Sequence, residues 1–236
     1  MMGGKISRHV RRMRRDWDRR ALENARYFVA TGQKEWSDEE FFAAGEQELK
    51  EQILTDLENI CQGKDPKAMT VLEIGCGAGR VTRALARFFG EVYAVDISPR
   101  MVRQARRAVE QFPNAHIFSN NGRDLSVVRR RWWHRLGIGG RPQIDFAYSC
   151  LVFQHIPSRD VIENYVSEVN RLLRPGALFK FQLQGYTETE PDLDGSWIGQ
   201  AFSVEEATKL AESNGFELRY QSGAGSQYYW LWFFKK

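Results

Sequence analysis

A glycine-rich turn is the part of this sequence best suited to chemistry. Residues 71–80 are Val-Leu-Glu-Ile-Gly-Cys-Gly-Ala-Gly-Arg, so an apolar strand-like run leads into Gly75, Gly77 and Gly79 and a helical pattern follows. Glycines let the backbone turn tightly and let a ligand approach without Cβ atoms in the way. Because amides at the start of a helix bind anions, the segment predicts a site for a ligand that carries an anionic group.

Two acidic residues near this turn distinguish between the ligands that such turns bind. Glu73 lies just before the turn, where a carboxylate can accept a hydrogen bond from an ammonium group. Asp96 ends the next strand-like run, where an acid can accept both hydroxyls of a ribose. The dinucleotide fingerprint Gly-x-Gly-x-x-Gly needs glycine at position 80, where this sequence has Arg80. The combination favours S-adenosylmethionine over a nicotinamide dinucleotide.

At these motifs, and over residues 68–236, the sequence resembles the class I S-adenosylmethionine-dependent methyltransferases and their small-molecule subgroup. The resemblance implies that Asp96 binds the ribose and that Ile97 and Met101 flank the adenine. It also implies that Asn121, where aspartate is common, contacts the adenine edge. The cofactor, with S-adenosylhomocysteine as its product, is predicted to contact Glu73, Gly75, Cys76, Gly77, Gly79, Arg80, Asp96, Ile97, Met101, Asn121, Gly122, Ser149, Trp17 and Tyr27.

The acceptor is predicted from the segment that resembles the family's fourth-strand motif. Enzymes that methylate exocyclic amino groups of bases often have Asp/Asn-Pro-Pro-Tyr there, whereas residues 149–152 are Ser-Cys-Leu-Val. The His-Ile-Pro ending at residues 155–157 is similar to small-molecule methyltransferases, especially those of quinone and secondary-metabolite pathways. A small organic acceptor is therefore expected, in contact with Leu151, Tyr186 and Trp197. No spaced cluster of acids and histidines predicts a metal site.

Three side chains have two interpretations each. His155 is the best candidate for a general base, because it follows the fourth strand close to the expected acceptor. A histidine that caps or packs against the loop backbone is an equally good interpretation. Trp17 and Tyr27 lie ahead of the core, in a segment that often closes over the cofactor in related enzymes, and aromatic faces attract cations such as a sulfonium. Simple packing of both rings onto the core is the alternative.

Strand-like runs alternate with helical patterns along the chain. Apolar stripes and capping signals predict helices, the first of them continuous over residues 41–60 after Ser37. The alternation predicts an α/β, Rossmann-like fold with a seven-stranded, mostly parallel sheet, an antiparallel last strand and helices on both faces. Residues 1–66 are expected to form a basic helical arm and lid, and residues 67–236 the S-adenosylmethionine-binding domain. The strands are predicted at 70–76, 91–97, 116–121, 144–150, 177–184, 216–221 and 228–234.

Composition sets the broad class. With 236 residues, 42% of them hydrophobic and 27% charged, the chain is expected to form one globular domain with an added arm. No apolar run approaches the roughly 18 residues that span a bilayer, and the N-terminus lacks the apolar stretch of a signal peptide. The three cysteines form no Cys-x-x-Cys pair, so a cytoplasmic location is expected.

The distribution of charge leaves alternatives open. Residues 1–20 contain eight basic residues against two acidic ones, and a second basic run with aromatics covers residues 129–135. The arm is either a solvated helix or a contact for an acidic partner such as nucleic acid. Nucleic acid is not favoured, because the base-amino motif is missing. An RNA or protein methyltransferase, and a non-catalytic cofactor-binding protein, remain the alternative functions.

Overall fold

A single sheet organises the molecule. The computed structural model describes residues 2–128, 143–186, 188 and 197–236, with side-chain environments from residue 8 onward. Strand β7 is antiparallel to both of its neighbours, and the other paired strands are parallel. The predicted Rossmann-like fold is confirmed. The strands are β1 (Thr70–Ile74), β2 (Glu91–Asp96), β3 (Ala115–Ser119), β4 (Ile144–Ser149), β5 (Leu173–Leu183), β6 (Phe216–Ser222) and β7 (Tyr229–Lys235), in the order β3-β2-β1-β4-β5-β7-β6.

Helices cover both faces of this sheet, and each face has its own apolar core. Successive strand residues point to opposite faces, so Val71 joins the core under α2, α3 and α4, while Leu72 joins the core under α6 and α7. None of the described helices is long and apolar enough to cross a membrane. The helices are α1 (Met2–Val29), α2 (Asp38–Gln52), α3 (Leu57–Cys61), α4 (Arg80–Phe88), α5 (Pro99–Ala108), α6 (Arg159–Leu172) and α7 (Val204–Ser213).

The N-terminal helix α1 is docked onto the domain. Val10 and Met13 are buried in the core of one sheet face, and Ala21 and Ala25 pack beside α5. Asp18 holds the start of α5, because its carboxylate accepts hydrogen bonds from the Ser98 hydroxyl at 2.8 Å and from the Arg100 side chain at 2.9 Å. The predicted N-terminal helical extension is confirmed, and its described part from residue 10 onward packs on the core.

The predicted helix starts are those that local capping chemistry specifies. Ser37 and Ser203 each accept a hydrogen bond from a backbone N–H three residues later, and the glutamate at that position bonds back. Ser98 caps α5, with proline at its first position.

Two elements differ from the prediction by more than two residues at a boundary, and the other strand ends agree within two residues. The helical stripe over residues 41–60 is interrupted after Gln52 by a short 3-10 turn, and α3 follows it. Strand β5 begins at Leu173 rather than at residue 177, because Leu173 already pairs with Ile144. The register shifts between Ile144 and Phe146, which leaves Pro175-Gly176 inside the strand as an irregularity instead of a turn before it.

The crossing of α2 over α4 is unusually close, and this positions part of the site. A Cβ atom at Gly45 would lie 2.2 Å from the backbone oxygen of Arg80. Replacing glycine with alanine inside a helix normally stabilises it by about 1 kcal/mol. Gly45→Ala is expected instead to lower the free energy of unfolding by about 1–3 kcal/mol, because the helices must separate.

Urea unfolding measures this change. The matched variant Ala43→Gly, on the exposed side of α2, should lose only about 1 kcal/mol through helix propensity. A Gly45→Ala protein as stable as the wild type would contradict the close crossing.

Candidate functional site

The glycine turn after β1 forms the floor of a deep cavity at the carboxyl ends of the central strands. Gly75 and Gly77 have positive φ angles of 78° and 51°. A Cβ atom at Gly75 would lie 2.2 Å from a methyl of Val152, and one at Gly77 would lie 2.6 Å from a methyl of Val29. The turn therefore needs glycine both for its backbone and for the chain segments that close over it. The cavity has an empty volume of about 900 Å³, including its opening to solvent.

Asp96 ties the glycine turn to the second strand. Its carboxylate accepts hydrogen bonds from the backbone N–H of Gly77 at 3.0 Å and of Ser98 at 2.8 Å. Burial raises the pKa of this carboxyl to about 6. Asp96 lines the cavity. Each of its oxygens accepts one of these backbone hydrogen bonds and can accept another, so the carboxylate can also bind a pair of hydroxyls.

Glu73 is the second carboxyl in this part of the cavity wall, and its side chain is buried. It accepts a hydrogen bond from the Thr82 hydroxyl at 2.5 Å, and burial raises its pKa to about 8. At neutral pH the carboxyl is therefore mostly protonated, until a cation enters the cavity and favours its ionised form.

This ionisation predicts that a ligand bearing an ammonium group releases a proton when it binds near pH 7. Calorimetric titration with S-adenosylmethionine in phosphate and in Tris should give different apparent enthalpies, corresponding to a release of up to one proton. Glu73→Gln should remove the difference. Equal enthalpies for the wild type in both buffers would contradict a neutral Glu73.

The raised pKa of Glu73 also determines how the free energy of unfolding changes with pH. Since the folded pKa is about 8 and the ordinary pKa of a glutamate is 4.5, the folded state holds more protons than the unfolded state between these values. The contribution of Glu73 to stability is full below about pH 4.5 and is lost as the pH rises through 8.

A polar cluster in the wall comes from elements far apart in the sequence. The Arg80 guanidinium donates to the Glu48 carboxylate at 2.5 Å and to the Ala44 carbonyl at 3.1 Å. The Tyr148 hydroxyl donates to the other oxygen of Glu48 at 2.9 Å. Glu48, Arg80, Tyr148 and Cys150 all line the cavity. Of these, only Arg80 was a predicted site residue. Glu48 lies on α2 one turn after Gly45, and that single glycine in a helical stripe was the only sequence signal for the close approach.

The opposite end of the cavity is lined by apolar side chains and one asparagine. Ile97 and Met101 line it, as predicted for the adenine side. Of the two neighbouring asparagines, Asn120 is in the wall, with its side-chain N–H donating to the Tyr165 hydroxyl at 2.6 Å. Its oxygen is buried without a hydrogen-bond partner among the described residues. Asn121 instead accepts from the backbone N–H groups of residues 123 and 124 and closes the following turn.

The predicted cofactor residues separate into two groups by position. The structure brings Trp17, Glu73, Gly75, Cys76, Gly77, Arg80, Asp96, Ile97 and Met101 together in the wall. The others lie outside the wall. Gly79 packs against α5, Gly122 against Ile97, and Ser149 donates to the Ile74 carbonyl. Tyr27 packs against Phe28, and it is Phe28 that lines the cavity.

The segment after β4 supplies an apolar wall. Leu151, Val152 and Ile156 line the cavity. Leu151 has a φ of 58°, in the left-handed region that is strained for a leucine. Its N–H donates to the side-chain oxygen of Gln182 at 3.0 Å, which holds this strained backbone in place.

Aromatic side chains from both ends of the chain close the remaining side. Trp17 and Phe28 of α1 are in the wall, and both contact Trp197, with ring centroids 6.4 and 6.0 Å apart. The Arg20 guanidinium lies 5.0 Å from the Trp197 ring centre. Trp197 itself is not among the lining residues, and Tyr186 is exposed outside the cavity.

His155 lies behind this cluster. Its Nδ1 is 2.5 Å from the carbonyl oxygen of Trp197, which can only accept, so Nδ1 carries the proton. Nε2 then accepts from the side-chain amide of Gln154 at 3.2 Å. Burial lowers the pKa of His155 to about 4. Both ring nitrogens are engaged, and His155 is not part of the cavity wall. This geometry favours a histidine that packs against the loop over one that acts as a general base.

The segment that forms the cavity floor is similar to a known protein family. A family model described as a methyltransferase domain matches residues 71–176, the stretch from β1 through the start of β5. This match supports the resemblance of residues 71–176 to the class I S-adenosylmethionine-dependent methyltransferases.

Individual members of this methyltransferase class are similar to the chain at different levels. A sterol 24-C-methyltransferase of Yarrowia lipolytica is 26% identical over 181 residues, which cover 65% of this chain and 40% of that enzyme. A demethylmenaquinone methyltransferase of Tropheryma whipplei is 31% identical over 106 residues, 45% of this chain and 38% of the relative. The chain thus spans less than half the length of these curated relatives.

Solved structures of methyltransferases support the fold. Magnesium protoporphyrin IX methyltransferase from Synechocystis PCC 6803, crystallised with S-adenosylmethionine, superposes with a TM-score of 0.64 over 97% of each chain at 16% identity. At this identity the likeness shows the fold alone.

Among the described residues, no three His, Cys, Asp or Glu side chains are placed to hold a metal ion.

Proposed function

We propose that this protein transfers a methyl group from S-adenosylmethionine to a small organic acceptor. The observation that carries the proposal is the convergence of Glu73, the glycine turn and Asp96 on one cavity. Its shape and chemistry suit a ligand with an ammonium group at one end and a ribose in the middle. The methyltransferase names of the curated relatives support the same reaction class.

The residues in the wall fit this cofactor. Asp96 can accept from the ribose hydroxyls, and Ile97 and Met101 offer apolar contacts to an adenine. The orphaned oxygen of Asn120 can accept from an amino group of the base. Glu48 and Glu73 face the ammonium end, and the Nε of Arg80, buried without a partner among the described residues, is a donor for the methionine carboxylate.

The protein's own part in the reaction is alignment and exclusion of water. When bound, S-adenosylmethionine supplies a methyl group activated by its sulfonium. Trp17, Phe28, Leu151, Val152 and Ile156 form the apolar part of the wall, which keeps water from the reacting centre and holds an acceptor in line. Residues 1–66 act in this proposal as a lid on the domain formed by residues 67–236, since α1 supplies Met13, Trp17 and Phe28 to the cavity.

The acceptor that suits these walls is a small, largely apolar molecule, such as a quinone-pathway or secondary metabolite. Relatives named for sterols, demethylmenaquinone and ubiquinone biosynthesis support this class. Leu151 and Trp197 are proposed to contact it, with Tyr186 at the opening. The alternative of an RNA or protein acceptor draws on the basic run at 129–135, which lies outside the described residues.

Calorimetric titration tests the cofactor assignment. We expect saturable 1:1 binding of S-adenosylmethionine and of S-adenosylhomocysteine, and none of NADH. Binding of NADH alone would overturn the proposal in favour of an oxidoreductase. Binding of S-adenosylmethionine without turnover of any acceptor would point to a non-catalytic cofactor-binding protein.

A further inference from the structure

Helix α1 has two faces with different chemistry. The inward face supplies Val10 and Met13 to the core and Trp17 to the cavity. The outward face carries arginines that are exposed and form no ion pair within the described part of the chain. These are Arg8, Arg11, Arg15 and Arg19, which recur every three or four residues, and Arg14 beside them.

Acidic residues do little to neutralise this outward face. Asp16 is buried, and Asp18 is engaged with Ser98 and Arg100 at the start of α5. Glu23 is the one exposed acid of α1. Helix α5 packs alongside, with Gln104 donating to the Ala21 carbonyl, and has three exposed arginines, Arg103, Arg106 and Arg107. Both of these packed helices therefore carry exposed basic side chains.

An apolar residue continues the arginine stripe. Leu22 follows Arg19 by three residues on the outward face and is 68% exposed, the most exposed large hydrophobic side chain in the described chain. Trp17 is the only aromatic residue between residues 8 and 23, and it faces the cavity. Single-stranded nucleic acid is held by stacking aromatics in a groove, which this convex helix face lacks. Basic side chains beside an exposed apolar one suit a lipid surface.

We propose that the outward face of α1 binds a lipid surface that carries anionic phosphate headgroups. The arginines contact the phosphates and Leu22 enters the boundary between headgroups and acyl chains. Because the same helix lines the cavity with its inward face, the cavity lies one helix diameter, about 10 Å, from the bound surface. The inference stands independently of the proposed function, since lipid binding requires neither cofactor nor acceptor.

Vesicle co-sedimentation tests this surface. The full chain should sediment with vesicles of phosphatidylcholine containing 30 mol% phosphatidylglycerol at about 0.1 M salt, and not with phosphatidylcholine alone. The triple variant Arg11→Gln, Arg15→Gln, Arg19→Gln should lose about 100-fold in partition coefficient, since each basic residue near an anionic surface contributes about a factor of five. Leu22→Gln should weaken vesicle binding several-fold.

A charge-matched control distinguishes an effect of the α1 surface from an effect of the protein's net charge. Lys209→Gln, Arg219→Gln, Lys236→Gln removes the same charge from the opposite edge of the sheet and should bind vesicles as the wild type does. The affinity of the arginine variant for S-adenosylmethionine should stay within about twofold, which shows that it is folded. Equal loss in both triple variants, no sedimentation of the wild type, or tighter binding to a duplex RNA than to the anionic vesicles at the same salt would each overturn the proposal.

Discussion

Asp96→Ala is expected to reduce the affinity for S-adenosylmethionine at least about 100-fold. The carboxylate holds the N–H groups of Gly77 and Ser98, and it is the proposed acceptor for the ribose hydroxyls. Hydrogen bonds to a charged group contribute about 1.5–3 kcal/mol each, so losing two corresponds to a hundredfold change or more. Calorimetric titration gives the two dissociation constants directly.

Two further variants make this result specific. Asp160→Ala removes an exposed carboxylate at the start of α6 and should leave the affinity unchanged. Asp96→Asn keeps one oxygen acceptor and should fall between the wild type and the alanine variant. An Asp96→Ala protein that melts like the wild type and still binds S-adenosylmethionine with unchanged affinity would contradict the proposed ribose contact.

Glu48→Gln is expected to weaken S-adenosylmethionine binding by about 10- to 100-fold and to leave the binding of methylthioadenosine within about twofold. Glu48 lies in the wall with the Arg80 guanidinium on one oxygen and the Tyr148 hydroxyl on the other. In the proposed site the charge of Glu48 faces the methionine end of the cofactor, which methylthioadenosine lacks. The variant should therefore lose one charge-assisted interaction, of about 1.5–3 kcal/mol, with S-adenosylmethionine alone. Competition titration with both ligands measures the difference.

The matched control for this variant lies on the same helix. Glu46→Gln makes the same chemical change two residues earlier, where Glu46 pairs with Arg87 near the surface, and should alter neither affinity. Equal weakening of both ligands by Glu48→Gln would show a structural role for Glu48. Unchanged affinity for both would remove it from the cofactor site.

Local signals in the sequence predicted most of the fold. The capping boxes at Ser37 and Ser203 and the Ser-Pro start of α5 involve residues within one helical turn. The break after α2 depends on distant partners instead. Asp56 lies in that break, where it pairs with the buried Lys180 at 3.0 Å and accepts from the Trp232 indole, and both partners come from strands more than 120 residues later. A helical stripe contains no information about such contacts.

The same distinction between local signals and distant contacts applies to the site. Glu73, the glycine turn and Asp96 were predictable because they are fixed by the ends of two neighbouring strands. Glu48 depends on how closely two helices cross. Likewise, the choice of Asn120 over its neighbour depends on which side chain the turn after β3 directs inward. His155 shows the converse, since its position after β4 suggested chemistry while its hydrogen bond to Trp197, 42 residues away, engages it in packing.

Methyl transfer to a small acceptor is tested most directly by following the methyl group itself. The protein is incubated with S-adenosylmethionine labelled in the transferred methyl, together with a metabolite extract, total RNA and total protein, and the label is then measured in each fraction. We expect enzyme-dependent label in the small-molecule fraction, and we expect Asp96→Ala to abolish it. Label in RNA or protein instead, or in no fraction despite tight cofactor binding, would contradict methyl transfer to a small acceptor.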